Sequence, residues 1–237
     1  MIFIGTLGVC LAFGFAVAFG VYASAGVSGG HINPAVTMAM FTLGKLGNTF
    51  GENLKMFFVY SLSQILGAFT SCFLVSAAYA DLEAHLVDKM NYTATDLARL
   101  YVTGPSGDFN PGMGTLFIDQ IIGTWILITV IFMVIDGQNV NPGGLAPFLI
   151  GMAAAVSGLA YGANGGGAIN PARDFGPRLF ATIFYSGDAT LWDGFFTVPL
   201  FGPLIGGFIG ALTYQFAIAA HWPYESAPAK ERDDVSL

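Results

Sequence analysis

Two residues of this sequence could offer the same chemistry to one passing molecule: Asn33 and Asn170, each followed by Pro-Ala. Asn is a strong helix N-cap, because its side-chain oxygen accepts from a backbone N–H of the first turn. Pro suits the first helical position, where an N–H would have no partner in any case. Pro34-Ala35 and Pro171-Ala172 therefore open helices whose N-terminal ends carry positive potential. A cap that turns its oxygen onto its own helix leaves an amide NH₂ to donate outward. Two such amides facing each other would donate to a hydroxyl or water oxygen and repel cations and protons. A single Asn-Pro pair is an ordinary cap, whereas two copies in matching surroundings are a site.

The surroundings do match. GGHINPAV at 29–36 and GGAINPAR at 166–173 form an internal repeat with an offset of 170 − 33 = 137 residues. Five long apolar stretches run roughly over 5–26, 55–80, 114–135, 144–163 and 195–220. Each can cross a bilayer core, which takes about 20 helical residues. Backbone in lipid must satisfy its own hydrogen bonds, so these are helices. Two shorter stretches, 33–43 and 170–182, begin at the boxes and cannot span. Subtracting 137 places the spans at 144–163 and 195–220 on the first and second spans, while 114–135 falls before Met1. The first repeat is therefore expected to lack its opening helix, with about 20 further apolar residues expected upstream.

Three spans per repeat is an odd number, so the halves insert in opposite senses, and broken segments in both point to a site at mid-membrane. The expected fold is an all-α membrane protein, an inverted-repeat bundle with two re-entrant half-helices and five full spans. Its channel domain covers 1–222, with an incomplete repeat 1–80 and a second repeat 114–220. Residues 81–113 are expected as a long polar loop and 223–237 as a cytoplasmic tail. Extended backbone at membrane depth is tolerated where it lines a cavity. That assigns pore carbonyls to Gly29, Gly30 and His31, and to Asn164, Gly165, Gly166 and Gly167.

Composition agrees with a membrane protein. Charged residues make up 10% of 237, against about 25% in soluble domains. There are 32 Gly and 22 Phe, which suits close-packed membrane helices. Gly14 and Gly20, and Gly202, Gly206 and Gly210, recur at helical spacing, where they let backbones approach. A net charge of −7 argues against nucleic acid as a partner. The apolar N-terminus lacks the positive region of a cleaved leader and is long enough to span. Cys10 and Cys72 lie in apolar runs and are expected as buried spectator thiols. Asn91-Tyr92-Thr93 is a glycosylation sequon, which puts the 81–113 loop outside. Lys45, Lys55, Lys230 and Arg232 then fall inside, against Lys89 and Arg99 outside, the sense of the positive-inside rule.

The boxes, in SGGHINPAVT at 28–37 and GGGAINPARDFGPRLF at 165–180, resemble the major intrinsic protein family and its aquaglyceroporin branch. LAFGFAVAFG at 11–20, DQIIGT at 119–124 and TVPLFGPLIGG at 197–207 extend that resemblance. It implies an aquaporin-like fold, a homotetramer with one pore per subunit, and a lipid bilayer, most simply the plasma membrane. It implies a selectivity filter of Phe13, Gly158, Gly167 and Arg173, and glycerol-branch markers at Asp174, Arg178, Pro199 and Leu200. His31 matches the histidine before the first box and is expected neutral and structural. An acid at Asp174 is also favourable in a first helical turn with no further role. Two positions depart from the family: Gly167 stands where relatives carry a filter side chain, and Gln120 where they carry a buried Glu. Tyr161 is a candidate to swing into the space that Gly167 leaves.

The implied function is passive conduction of glycerol, water and other small neutral solutes, urea among them, without metal or cofactor. Alternatives are a strict water channel or a non-conducting, incomplete subunit. A coupled transporter would need ionisable groups inside its spans; Asp119 near one end is the best available. No Ser-His-Asp, paired-carboxylate or Cys/His metal spacing points to an enzyme, and His85 and His221 suggest no chemistry.

Overall fold

The computed structural model describes residues 5–186 and 189–223. The expected tail therefore lies, beyond Pro223, outside the described residues. Among the described residues five helices are long and apolar enough to cross a membrane. In chain order the helices are α1 (Thr6–Ser28), α2 (Pro34–Thr42), α3 (Phe50–Ala78), α4 (Ala80–Met90), α5 (Ala94–Arg99), α6 (Met113–Ile135), α7 (Ala146–Tyr161), α8 (Pro171–Ala181) and α9 (Thr197–Ala217). No strand occurs among the described residues. The half-helices are α2 and α8, and each starts on its Asn cap.

Local chemistry sets several boundaries. Gly29 closes α1 at φ 77°, a left-handed turn in which its N–H returns to the Ala25 carbonyl. α3 starts earlier than apolarity alone predicts. Thr49 Oγ1 accepts from Glu52 N–H while Glu52 Oε2 accepts from Thr49 N–H, a reciprocal cap. The region 81–113 is not the plain loop its polarity suggests. α4 begins with Asp81 and Glu83 and ends with Lys89, which complements the helix dipole. α5 is capped by Thr93 and Asp96, and Leu97 and Ala98 are buried beneath it. Two pieces of helix thus lie between the repeats, latched by Glu83, whose carboxylate accepts from the Tyr101 and Tyr185 hydroxyls at 2.6 and 2.7 Å.

The repeat offset is visible in the packing. It relates Gly14 to Gly151, since 14 + 137 = 151, and α1 crosses α7 where these two meet. A Cβ on Gly14 would stand 2.7 Å from the Gly151 carbonyl oxygen, and one on Gly151 would stand 2.8 Å from Ala18 Cβ. A side chain at either would force the helices apart. On the other side of the bundle Gly202, Gly206 and Gly210 bring α9 onto Gln120, Thr124 and Ile128 of α6. The repeats differ in cover. Half of the most apolar window of the α9 span is buried (50%) and 44% of that of α6, against 6% for α3. Among the described residues α3 packs on α2 and α8, with no helix lying along it as α6 lies along α9.

Candidate functional site

The two boxes meet. Asn33 and Asn170 both line one cavity of about 700 Å³ that runs between α1, α6 and α7. Each Asn caps its own half-helix: Asn33 Oδ1 accepts from Ala35 N–H at 2.8 Å, and Asn170 Oδ1 from Ala172 N–H at 3.0 Å. Pro34 and Pro171 hold the first helical positions and are buried with Ala35 and Ala172. The amide NH₂ groups are not both wholly free, as the cap argument alone would have them. Asn33 Nδ2 donates to the Ile169 carbonyl at 2.9 Å, and Asn170 Nδ2 donates to the Ile32 carbonyl at 3.0 Å. One hydrogen of each amide ties its box to the other repeat. The second is left for an oxygen in the cavity, because an amide NH₂ carries two donors.

The cavity wall is apolar on one side and polar on the other. α1 contributes Phe13, Val17 and Val21, and α6 contributes Leu127 and Ile131. Backbone supplies the polar side. Gly29 and Gly30 (φ 77° and 71°) precede the first box, and their repeat counterparts Gly166 and Gly167 (φ 77° and 55°) precede the second. All four line the cavity, with His31. In this left-handed region a side chain would be strained, so glycine lets the chain turn its carbonyls along the lumen. Asn164 and Gly165, expected in the same ladder, are turned away. The Asn164 carbonyl accepts from Ser106 N–H at 2.8 Å. A Cβ on Gly165 would face Leu116 at 3.0 Å, outside the lumen. Gly162 and Ala163 take their place on the wall, a register that the sequence motif did not reveal.

Arg173 projects from the first turn of α8 into the cavity, its Cζ 4.9 Å from the Phe13 ring centroid. Among the described residues the guanidinium enters no ion pair; Asp174 is paired with Arg178 instead. An unpaired cation in the lumen raises a barrier to other cations while its N–H groups face passing oxygens. Gly158 and Gly167 line the same cavity. Tyr161 does not fill the space beside Gly167: it packs on Gly123 of α6, where a Cβ would lie 3.4 Å from Tyr161 Cβ. Cys10 is not the buried spectator that its apolar run implied, for it lines the cavity, whereas Cys72 is buried in α3.

Asp174, Arg178, Pro199 and Leu200 lie off the lumen. Asp174 and Arg178 are each 2% exposed and joined at 2.8 Å. Asp174 Oδ2 accepts from the Thr103 N–H and hydroxyl, and Arg178 donates to the Thr103 and Leu191 carbonyls. The pair thereby clamps the chain segments on either side of α8 and fixes the helix that carries Arg173. Pro199 is buried in the first turn of α9, and Leu200 is half-buried beside it. Gln120 anchors the loop: its Oε1 accepts from Ile169 N–H at 2.9 Å. A neutral carboxamide thus supplies the acceptor for this loop.

A family model described as major intrinsic protein matches residues 2–214. The chain belongs to the major intrinsic protein family. It is 34% identical over 232 residues to the glycerol uptake facilitator protein of Escherichia coli strain K12, a match covering 94% of this chain and 80% of the relative. It is 36% identical over 224 residues to aquaporin-9 of Homo sapiens, covering 92% and 73%. The X-ray structure of the aquaglyceroporin from Plasmodium falciparum superposes with a TM-score of 0.80 at 28% identity, covering 93% of this chain and 86% of that one. The protein is accordingly an all-α, multi-pass membrane channel of the aquaporin fold, and a family of channels leaves no place for enzymatic turnover.

Proposed function

We propose that the protein conducts glycerol, water and other small uncharged solutes passively across a membrane. The observation that carries this is the convergence of Asn33 and Asn170 on one cavity, each with a donor remaining for the solute. Glycerol suits the wall: its carbon chain meets Phe13, Val17 and Val21, and its hydroxyls meet the carbonyl ladders, the two amides and Arg173. The relatives named for glycerol uptake support the same substrate. Phe13, Gly158, Gly167 and Arg173 act as the selectivity filter, and urea is among the solutes that pass. Asp174 and Arg178 serve the branch by holding α8 rather than by touching solute.

Four copies assemble around separate pores in the plasma membrane, with 81–113 outside. Asn91 then takes a glycan, consistent with its exposed position at φ 56° after α4. Shrinkage of proteoliposomes containing the purified protein tests the function. Glycerol and water should cross without an ion gradient and with a low activation energy. Flux that requires an ion gradient, or water flux with none for glycerol, would remove the glycerol-channel reading.

A further inference from the structure

The bare face of Gly158 does not open onto free space. A Cβ built there would stand 3.3 Å from Cys10 Sγ and 3.9 Å from Cys10 Cβ. The thiol therefore covers the stretch of wall that the glycine leaves bare. Cys10 lies three residues before Phe13 on α1, so the two share a helix face. Both line the cavity with Gly158 and Arg173. Gly167 offers no equivalent latitude: a Cβ there would meet Gly162 Cα at 3.1 Å and Gly158 Cα at 3.5 Å, at φ 55°. Its missing side chain points into the end of α7 and leaves no gap in the lumen. Arg173, stacked on Phe13, fixes the far side of the opening.

We propose that Cys10 is a specificity-determining residue, its thiol seated on Gly158 and setting the width of the pore beside Arg173. The inference rests on the cavity being the solute path. A thiol is small and largely apolar, with a weak donor. It gives the carbon side of a polyol a second smooth contact besides the Phe13 ring. It competes little for the hydroxyls, which turn to the unpaired guanidinium. A methyl group on Gly158 would press on the thiol at 3.3 Å, so the two residues share this stretch of wall.

Proteoliposomes carrying the full chain test this with three solutes: water, glycerol and the longer polyol erythritol. Cys10→Ala should raise erythritol flux relative to glycerol flux. Cys10→Leu should lose more than half of the glycerol flux with a smaller loss for water. Gly158→Ala should push the thiol into the lumen and cut glycerol flux, and adding Cys10→Ala should restore it. A methanethiosulfonate reagent gives an independent reading on the unaltered chain. The Cys10 thiolate attacks the sulfenyl sulfur, one S–S bond forms as the S–SO₂ bond breaks, and methanesulfinate leaves. The reagent should block the wild type and Cys72→Ser, and leave Cys10→Ala conducting. Unchanged solute ratios in both Cys10 variants, with water flux intact, would overturn the inference alone. A wild type that conducts neither solute nor water would overturn the channel reading along with it.

Discussion

The two Asn-Pro-Ala boxes share a sequence and a fold but are held by different means. Around the first, α3 reaches in: Gln64 Nε2 donates to the His31 carbonyl at 2.6 Å and to the Thr37 hydroxyl at 3.1 Å. Asn53 secures the far end of α2 through the Phe41 carbonyl and Leu46 N–H. Around the second, Gln120 accepts from Ile169 N–H and the Asp174–Arg178 pair fixes α8 from outside, while the amide links from Asn33 to the Ile169 carbonyl and from Asn170 to the Ile32 carbonyl are common to both boxes. The backbone shows the consequence. Ile169 sits at φ 43°, while its counterpart Ile32 has no such conformation. A β-branched residue there is a genuine outlier, of a kind that costs about 1–3 kcal/mol and survives where the surroundings over-determine it. Here both polar groups of the Ile169 peptide are fixed by side chains from distant segments. The second box, which also carries Arg173, is the more strained and the more tightly clamped of the two.

The largest expected effect comes from opening the outer clamp. Arg178→Met leaves Asp174 buried without its partner and should destabilise the fold by about 3–5 kcal/mol. The apparent unfolding midpoint in detergent should drop accordingly. Removing both charges, with Asp174→Leu added, should lose less than the sum of the single changes, because no lone buried charge remains. Purely additive losses would show that the pair is no unit and that the second box has no special clamp.

A smaller effect sharpens the comparison directly. Gln120→Leu strips the buried Ile169 N–H of its acceptor, which should cost about 1–3 kcal/mol. Gln64→Leu removes a donor from a carbonyl and a hydroxyl and should cost about 1 kcal/mol. Water permeability per copy should follow the same order. If Gln64→Leu proves the worse in both measurements, the first box is the critical anchor and the comparison is reversed.

The smallest effect lies between the repeats. The Thr93 hydroxyl, and then its N–H, hold the exposed Asp96 carboxyl below its ordinary value of 3.8. A depressed carboxylate contributes its full stability above that ordinary value and loses it as pH falls through the lowered one. Protection of the α5 amides, relative to their intrinsic exchange, should therefore fall as pH drops below that ordinary value, and Asp96→Asn should abolish the change. Water flux should stay level over that change, since neither box contacts Asp96. A parallel loss of flux would tie α5 to the pore.

How much of this was legible beforehand depended on whether the deciding contacts were local. The half-helix starts were readable because an Asn cap followed by Pro acts within three residues. The spans were readable because lipid demands long apolar helices. The offset of 170 − 33 = 137 residues even related Gly14 to Gly151, the pair at which α1 crosses α7. α4 and α5 were missed because their caps hold short, polar segments that carry no apolar run. Cys10 was legible only as one apolar residue among many, since its place on the wall depends on Gly158, 148 residues away (158 − 10 = 148).

The sequence by itself determined the membrane-spanning class, the inverted repeat and the two capped half-helices. Tertiary structure alone decided which of their atoms were already engaged. It set one hydrogen of each Asn amide on the opposite repeat, turned Asn164 and Gly165 off the lumen, and buried Asp174 and Arg178 in a clamp beside it. The physical reason is range. Capping and hydropathy act along a few residues of chain, whereas a hydrogen bond between Asn33 and Ile169 exists only once two re-entrant loops have been folded to 2.9 Å of each other.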